Sequence, residues 1–297
     1  MDKRVCKFFY SIRNSISDQL DNKKKYKLIN DQPIKEYCAG NSCDDDLEKI
    51  NAGCLFLFDA LFKDNSVFKY HNNINMVKYI FIWLSYMLNL KEQVGDVNNL
   101  QYFYNMYMKS GDKYTNPITD VTEYKSYKDL VDKTKMMDMD IKYISKFYDA
   151  FNALCMMYIE FDDESSNCKQ CLKYANAFIE KYKKLTKDSN ITDNSSYNQI
   201  LSNLSTNYNN FKKKCNDLPS ISTIDTTDNS VYTSGLTSEV TSSSSIANKL
   251  LLILSIFGAI AIFLGISYKY SLFGFRKRFK KQQIREKIKN IKKKMNR

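Results

Sequence analysis

Apolar residues recur at steps of three and four along most of the first 218 positions, the spacing that places them on one side of an α-helix. In DDDLEKINAGCLFLFDALF, Leu47, Ile50, Cys54, Phe58 and Leu61 form a single stripe. Asp44, Asp45 and Asp46 precede it, where carboxylates cap exposed amides and complement the helix dipole. A cation site is the competing use of three adjacent acids. Gly53, inside the stripe, permits close packing by a neighbour. The next segment, INMVKYIFIWLSYMLNL, is apolar nearly all round, yet Lys78, Ser85 and Asn89 interrupt it. It is too interrupted to span a bilayer and reads as a central buried helix, with Trp83 in the core. Further helices are expected around Leu100–Lys109, Tyr124–Lys133, Met139–Glu160, Cys168–Leu185 and Tyr197–Cys215, with polar connectors near 63–73, 111–120 and 162–167. Ile141, Ile144, Phe147, Tyr148 and Phe151 keep helical spacing, and the Met and aromatic residues among them are core material. With 8 Gly and 3 Pro, the chain is too sparsely punctuated for a sheet-rich fold, so residues 1–218 are expected to be all-α.

The pattern then changes twice. In residues 219–245, 15 of 27 side chains are Ser or Thr and none is basic. Such a stretch buries too little apolar surface to fold, and a disordered stalk is expected, with O-glycosylation the sharper reading of the same composition. Leu250–Tyr268, LLLILSIFGAIAIFLGISY, follows as 19 residues without a charge between Lys249 and Lys269. A helix of that length measures about 28 Å, close to the ~30 Å hydrocarbon thickness of a bilayer. A single C-terminal transmembrane helix is therefore expected within 246–268, leaving 269–297 as a short tail.

Charge assigns these pieces to sides. The chain carries +12, with 45 Lys and Arg against 33 Asp and Glu. The tail holds 13 of those basic residues and one acid, Glu286, so residues 1–268 have 32 of each sign and are neutral. The charge is thus no footprint for nucleic acid, which needs a basic face on the folded part. Lys269, Arg276, Lys277, Arg278, Lys280 and Lys281 lie nearest the expected span, whereas upstream of Lys249 the next basic residue is Lys214. Excess Lys and Arg marks the cytosolic side, so the tail is expected in the cytosol and residues 1–249 outside or in a lumen. The opening MDKRVCKFFYSIRNSISDQL lacks an apolar run of signal-peptide length, so the span itself, or an unconventional route, is expected to direct translocation. A tail-anchored protein with a cytosolic domain is the alternative topology. Within the tail, Ile284, Ile288, Ile291 and Met295 recur at helical spacing amid Lys and Arg. A helix so patterned lies on an anionic leaflet; a plain polycation is the alternative.

The eight cysteines form two groups, Cys6, Cys38, Cys43 and Cys54, then Cys155, Cys168, Cys171 and Cys215, none of them in the tail. An even number on one side of a span reads as a disulfide framework in an oxidising compartment, with one or two buried free thiols as a variant. About 105 pairings are open to eight cysteines, and pairing within each group leaves three choices in each. Zinc is the rival reading, because Cys168 and Cys171 form a C-x-x-C; that motif has no partner pair, and His71 is the sole histidine. No H-E-x-x-H, Gly-rich phosphate loop or other catalytic constellation is present, and the acidic FDDE at 161–164 reads as a solvated loop. No catalytic residue, metal ligand, cofactor or small-molecule substrate is assigned. Asn190, Asn194 and Asn203 begin N-x-S/T sequons, weak signals in an Asn-rich chain.

Four strings carry a resemblance: INAGCLFLFDALF, YIFIWLSYMLNLK, SSYNQILSNLSTNYNNFKKKCNDLPS and GISYKYSLFGFRKRFKKQQIREKIK. Together they closely resemble the Plasmodium interspersed repeat (PIR) proteins, in their rodent-malaria Cir/Bir/Yir branch, from the first cysteine to the tail. The resemblance implies a variant multigene family of malaria parasites with a helical cysteine-containing ectodomain, one C-terminal transmembrane helix and a short cytosolic tail. It further implies export toward the infected host cell, antigenic variation and immune evasion, with a host receptor or antibody as the ectodomain's partner. No R-x-L-x-E/Q/D export motif lies near the N-terminus, as the family pattern allows. A structural protein that organises a membrane through its basic tail is the second expectation.

Overall fold

Asp2 opens the first helix: its side chain accepts hydrogen bonds from the Arg4 and Val5 amides, satisfying donors that have no partner inside the helix. In this computed structural model of the chain, the residues described are 1–63, 73–93, 95–118, 124–162 and 168–221. All of them fall within the first of the chain's two units, Met1–Asn229. His71, most of the expected stalk, the expected span Leu250–Tyr268 and the tail lie outside the described residues.

Helix α1 (Lys3–Ser15) leads into a two-stranded antiparallel hairpin, β1 (Ile16–Leu20) and β2 (Tyr26–Leu28). Helices α2 (Asp46–Phe62) and α3 (Asn73–Asn89) follow. Next come α4 (Asn99–Phe103), which continues as a π-helical turn over Tyr104–Met108, and the single turn α5 (Asp112–Thr115). The remaining helices are α6 (Tyr127–Thr134), α7 (Ile141–Ser145), α8 (Tyr148–Glu160), α9 (Lys169–Thr186), α10 (Ser189–Thr192) and α11 (Ser195–Lys212).

The helical reading holds, with three corrections. Residues 3–15 form a helix that the reading above leaves out; Val5, Cys6, Phe9 and Ile12 are its buried face. The hairpin departs from an all-α plan. Its turn is built by Asp21, whose side chain accepts from the amides of Lys23 and Lys25, while Lys24 takes the left-handed conformation at φ 58°. Such local hydrogen bonding offers the backbone an alternative to helix. Finally, the helix expected over 139–160 is kinked. Ser145 Oγ donates to the Lys142 carbonyl, and the amides of Lys146 and Phe147 bond three residues back, to Tyr143 and Ile144. A serine bonded to the preceding turn bends a helix in this way.

α3 is the central buried helix, with Tyr79, Ile80, Phe81, Ile82, Trp83 and Leu84 at most 2 % exposed. Gly53 lets α2 lie against it, since a Cβ there would sit 2.7 Å from the Trp83 ring. Phe151 of α8 packs edge-on to Phe9 of α1 and stacks on Tyr79. Phe178 of α9 stacks on Tyr208 of α11 at 4.8 Å. α3 and α11 are also joined by polar side chains: Lys78 donates to Gln199, Asn203 to Asn75, and Asn207 to Tyr79 Oη. Packing runs into the first residues of the expected stalk, where the Pro219 carbonyl accepts from Tyr208 and Ser220 Oγ from Lys212.

Candidate functional site

The predicted cysteines resolve into three bridges and two thiols. Cys6–Cys155 ties α1 to α8 across 149 residues of sequence. Cys38–Cys43 closes a tight loop ahead of α2, and Cys168–Cys215 joins the start of α9 to the end of α11. Pairing within the two sequence groups does not describe the frame, because α1 packs on α8 and brings Cys6 beside Cys155. Not all eight cysteines are bridged: Cys54 and Cys171 are buried thiols, as in the variant with two free cysteines. Burial pushes the Cys54 thiol up to about 12 and raises that of Cys171, whose Sγ donates to the Met157 carbonyl. The C-x-x-C is split: Cys168 turns to its disulfide partner and Cys171 into the core. Among the described residues, no group of three or more His, Cys, Asp or Glu side chains is placed to hold a metal ion.

The triple aspartate serves three purposes. Asp45 is the N-cap of α2 and accepts from the amides of Leu47 and Glu48. Asp44 accepts from the Ser42 hydroxyl. Asp46 pairs with Lys49 at 3.0 Å and with Lys91 at 2.5 Å. Burial alone would raise the Asp46 carboxyl, but hydrogen bonds from Lys91 and Lys49 outweigh it and hold the group below the usual carboxylate range.

These acids border a cleft that the sequence reading misses. It is about 570 Å³ and is lined by the hairpin turn (Lys25, Tyr26), the start of α2 (Asp44 to Leu47), the end of α3 (Leu88, Lys91, Glu92) and α4 with its approach (Val97, Asn99, Tyr102). The walls are braced from behind. Tyr26 Oη donates to the Met87 carbonyl at 2.7 Å, and Asn99 Nδ2 donates to the carbonyls of Leu88 and Lys91. Lys91 also lies over the Tyr26 ring, 5.0 Å from its centroid. Val97 ahead of α4, Tyr102 on it and Met106 in its π-helical turn are left exposed there, a result of packing for which the sequence carries no signal.

A second hollow of about 360 Å³ surrounds Asp59, which accepts from Tyr127 Oη at 2.7 Å, Tyr37 Oη at 3.1 Å and Lys63 at 3.1 Å. Burial, then the Asp59 charge, raises the Tyr37 phenol far above its ordinary range; for Tyr127 burial and the hydrogen bond to Asp59 do so. These phenols hold protons and tie the segment around Tyr37 and the start of α6 to Asp59 of α2.

Of the sequon asparagines, Asn190 and Asn194 are exposed, whereas the Asn203 amide is spent on Asn75. Among the described residues no helix is long and apolar enough to cross a membrane; the expected span, its basic flank from Lys269 to Lys281 and the stripe from Ile284 to Met295 are not among them.

The fold and its bridges define a class: a helical, disulfide-tied domain with an open surface cleft. The chain belongs to the Cir/Yir/Bir family of Plasmodium variant antigen proteins, whose family model matches residues 6–269. It is similar to a solved Plasmodium PIR protein ectodomain, at 31 % identity and TM-score 0.57, covering 74 % of this chain and 96 % of that one. No curated protein matches it.

Proposed function

We propose that this chain is a variant antigen exported toward, or displayed on, the infected host cell, its helical domain facing away from the cytosol. The carrying observation is the family match, which runs through the domain and the uncharged stretch to residue 269. The similar solved domain is described as an ectodomain, and three bridges in this domain suit an oxidising compartment. In this reading Leu250–Tyr268 spans the bilayer, Lys269, Arg276, Lys277, Arg278, Lys280 and Lys281 hold the tail in the cytosol, and the domain presents changing epitopes or engages a host receptor. Protease added to intact infected cells tests it. Loss of the domain with survival of a tail fragment is expected; a domain protected until the membranes are opened overturns the reading.

A second reading, a protein that organises a membrane through its tail, is favoured by the Ile284, Ile288, Ile291 and Met295 stripe. A peptide of Arg276–Arg297 is then expected to become helical on anionic vesicles and to lose that binding when the three isoleucines become serine. Equal binding of both peptides without helicity reduces the tail to a charge anchor.

A further inference from the structure

We infer that Cys168, Cys171 and Cys215 form a thiol-operated latch, in which a small-molecule thiol moves the Cys168 bridge from Cys215 to Cys171 and frees the end of α11 from α9. Two independent observations meet at these sulfurs. The first is access. Cys168 is half-buried, whereas the other bridged residues, Cys6, Cys38, Cys43, Cys155 and Cys215, are at most 8 % exposed. Exchange needs access to the attacked sulfur, so a thiolate from solvent enters this bridge, and enters it at Cys168. The second is a spare thiol within the same helical turn. Cys168 is the N-cap of α9, and its carbonyl accepts from the Cys171 amide at 3.0 Å. Thiol–disulfide oxidoreductases use cysteines at this spacing. The other free thiol, Cys54, is held against Tyr114 in the core.

The exchange runs in two balanced steps. The incoming thiolate bonds to Cys168 Sγ, the Cys168–Cys215 bond breaks, and Cys215 leaves as a thiolate that takes a proton from water. Cys171 then loses its proton to water and attacks Cys168 Sγ, forming Cys168–Cys171 and returning the small thiolate. One bridge replaces another and no electrons are gained or lost. In the closed state Cys171 is turned away, its Sγ donating to the Met157 carbonyl of α8 at 3.5 Å. Rotation about its Cα–Cβ bond gives up that one weak hydrogen bond and swings the sulfur toward Cys168. Burial keeps Cys171 protonated, so it resolves an opened bridge and does not attack a closed one.

The latch lies where the domain ends. Cys168–Cys215 spans α9, α10 and α11 across 47 residues of sequence, whereas a Cys168–Cys171 bridge encloses only Lys169 and Gln170. After Cys215, the Pro219 carbonyl and Ser220 hydroxyl are held by Tyr208 and Lys212 of α11 itself. The first residues of the expected stalk therefore follow the end of α11 when the bridge moves.

The exchange does not rest on the antigen reading, so sulfur mapping and protease protection on cells fail independently. The test treats the full chain in phosphatidylcholine nanodiscs with reduced glutathione at about pH 8, where part of that thiol is ionised. Free thiols are then blocked with N-ethylmaleimide in denaturant and tryptic peptides are mapped; trypsin cuts after Lys169 and so separates Cys168 from Cys171. The label is expected to move from Cys171 to Cys215, and a peptide pair joined through Cys168 and Cys171 to appear. Cys6–Cys155 and Cys38–Cys43 are expected to open at least about tenfold more slowly. Hydrogen exchange is expected to quicken at the amides of Lys214, Cys215 and Leu218, which bond within this end of the chain. Cys171→Ala is expected to stop with glutathione on Cys168. In Cys215→Ser, oxidised glutathione is expected to close Cys168–Cys171, a check on reach that stands even if Cys171→Ala does not fold. A Cys168–Cys215 bridge that stays closed or opens after another, glutathione on Cys215, label that remains on Cys171 once Cys215 is free, unchanged exchange, or no closure in Cys215→Ser each overturns the latch.

Discussion

An added methyl at Gly53 would lie 2.7 Å from Trp83 Cη2 and 3.2 Å from Ile16 Cδ1, in a place where the indole is 2 % exposed and has nowhere to move. Overpacking of this kind costs roughly 1–3 kcal/mol, and the better helix propensity of alanine returns about 1. Gly53→Ala is therefore expected to destabilise by up to about 2 kcal/mol, read in urea through the fluorescence of Trp83, the single tryptophan. Asp46 supplies a test by pH. Its carboxyl titrates below the unfolded value of about 3.9, so its pairs with Lys91 and Lys49 add stability above that value and lose it as the pH falls through the folded pKa. The stability gap between wild type and Asp46→Asn is expected to be full near pH 6 and to shrink as the pH falls below about 3.9 and through the folded pKa. A gap that stays constant across that window contradicts the pairing.

At the scale of elements, α6 ends on Lys135, an exposed residue in the left-handed conformation at φ 53°. Only glycine takes that conformation without a steric penalty of about 1–2 kcal/mol, part of which its greater freedom in the unfolded chain offsets. Lys135→Gly is expected to raise stability by about 0.5–1 kcal/mol, visible as a higher urea midpoint. Most helices were legible because a stripe of period 3.6 states both their existence and their buried face, as Leu47 to Leu61 does for α2. α1 carries the same signal in Val5, Phe9 and Ile12, a stripe obscured when the stretch is searched only for a translocation signal. The kink after Ser145 and the hairpin turn at Asp21 were less legible. Each is decided by one side chain's hydrogen bond to nearby backbone, which hydrophobic periodicity does not record.

Across the whole molecule, the bridges close loops of very different length. Chain-entropy reasoning gives about 5 kcal/mol for a separation of 149 residues, about 4 for 47 and about 2 for 5. The double substitution Cys6→Ala, Cys155→Ala is expected to cost the most, then removal of Cys168–Cys215, with Cys38–Cys43 least, as measured by denaturant midpoints. Alkylation under native, unreduced conditions is expected to leave buried Cys54 and Cys171 unlabelled, and after unfolding without reductant to label those two alone. Labelling of four or more contradicts the three-bridge frame. By itself the sequence determined the helical periodicity, the capping of α2, the close approach at Gly53, the neutrality of residues 1–268 and the family strings, because each is a property of neighbouring residues or of a plain count. Tertiary structure alone decided that Cys6 meets Cys155, that Cys54 and Cys171 stay apart as thiols, and that the start of α2 and the exposed side of α4 border one cleft. Separation along the chain does not set distance in space; the packing of α1 on α8 and of α2 on α3 does.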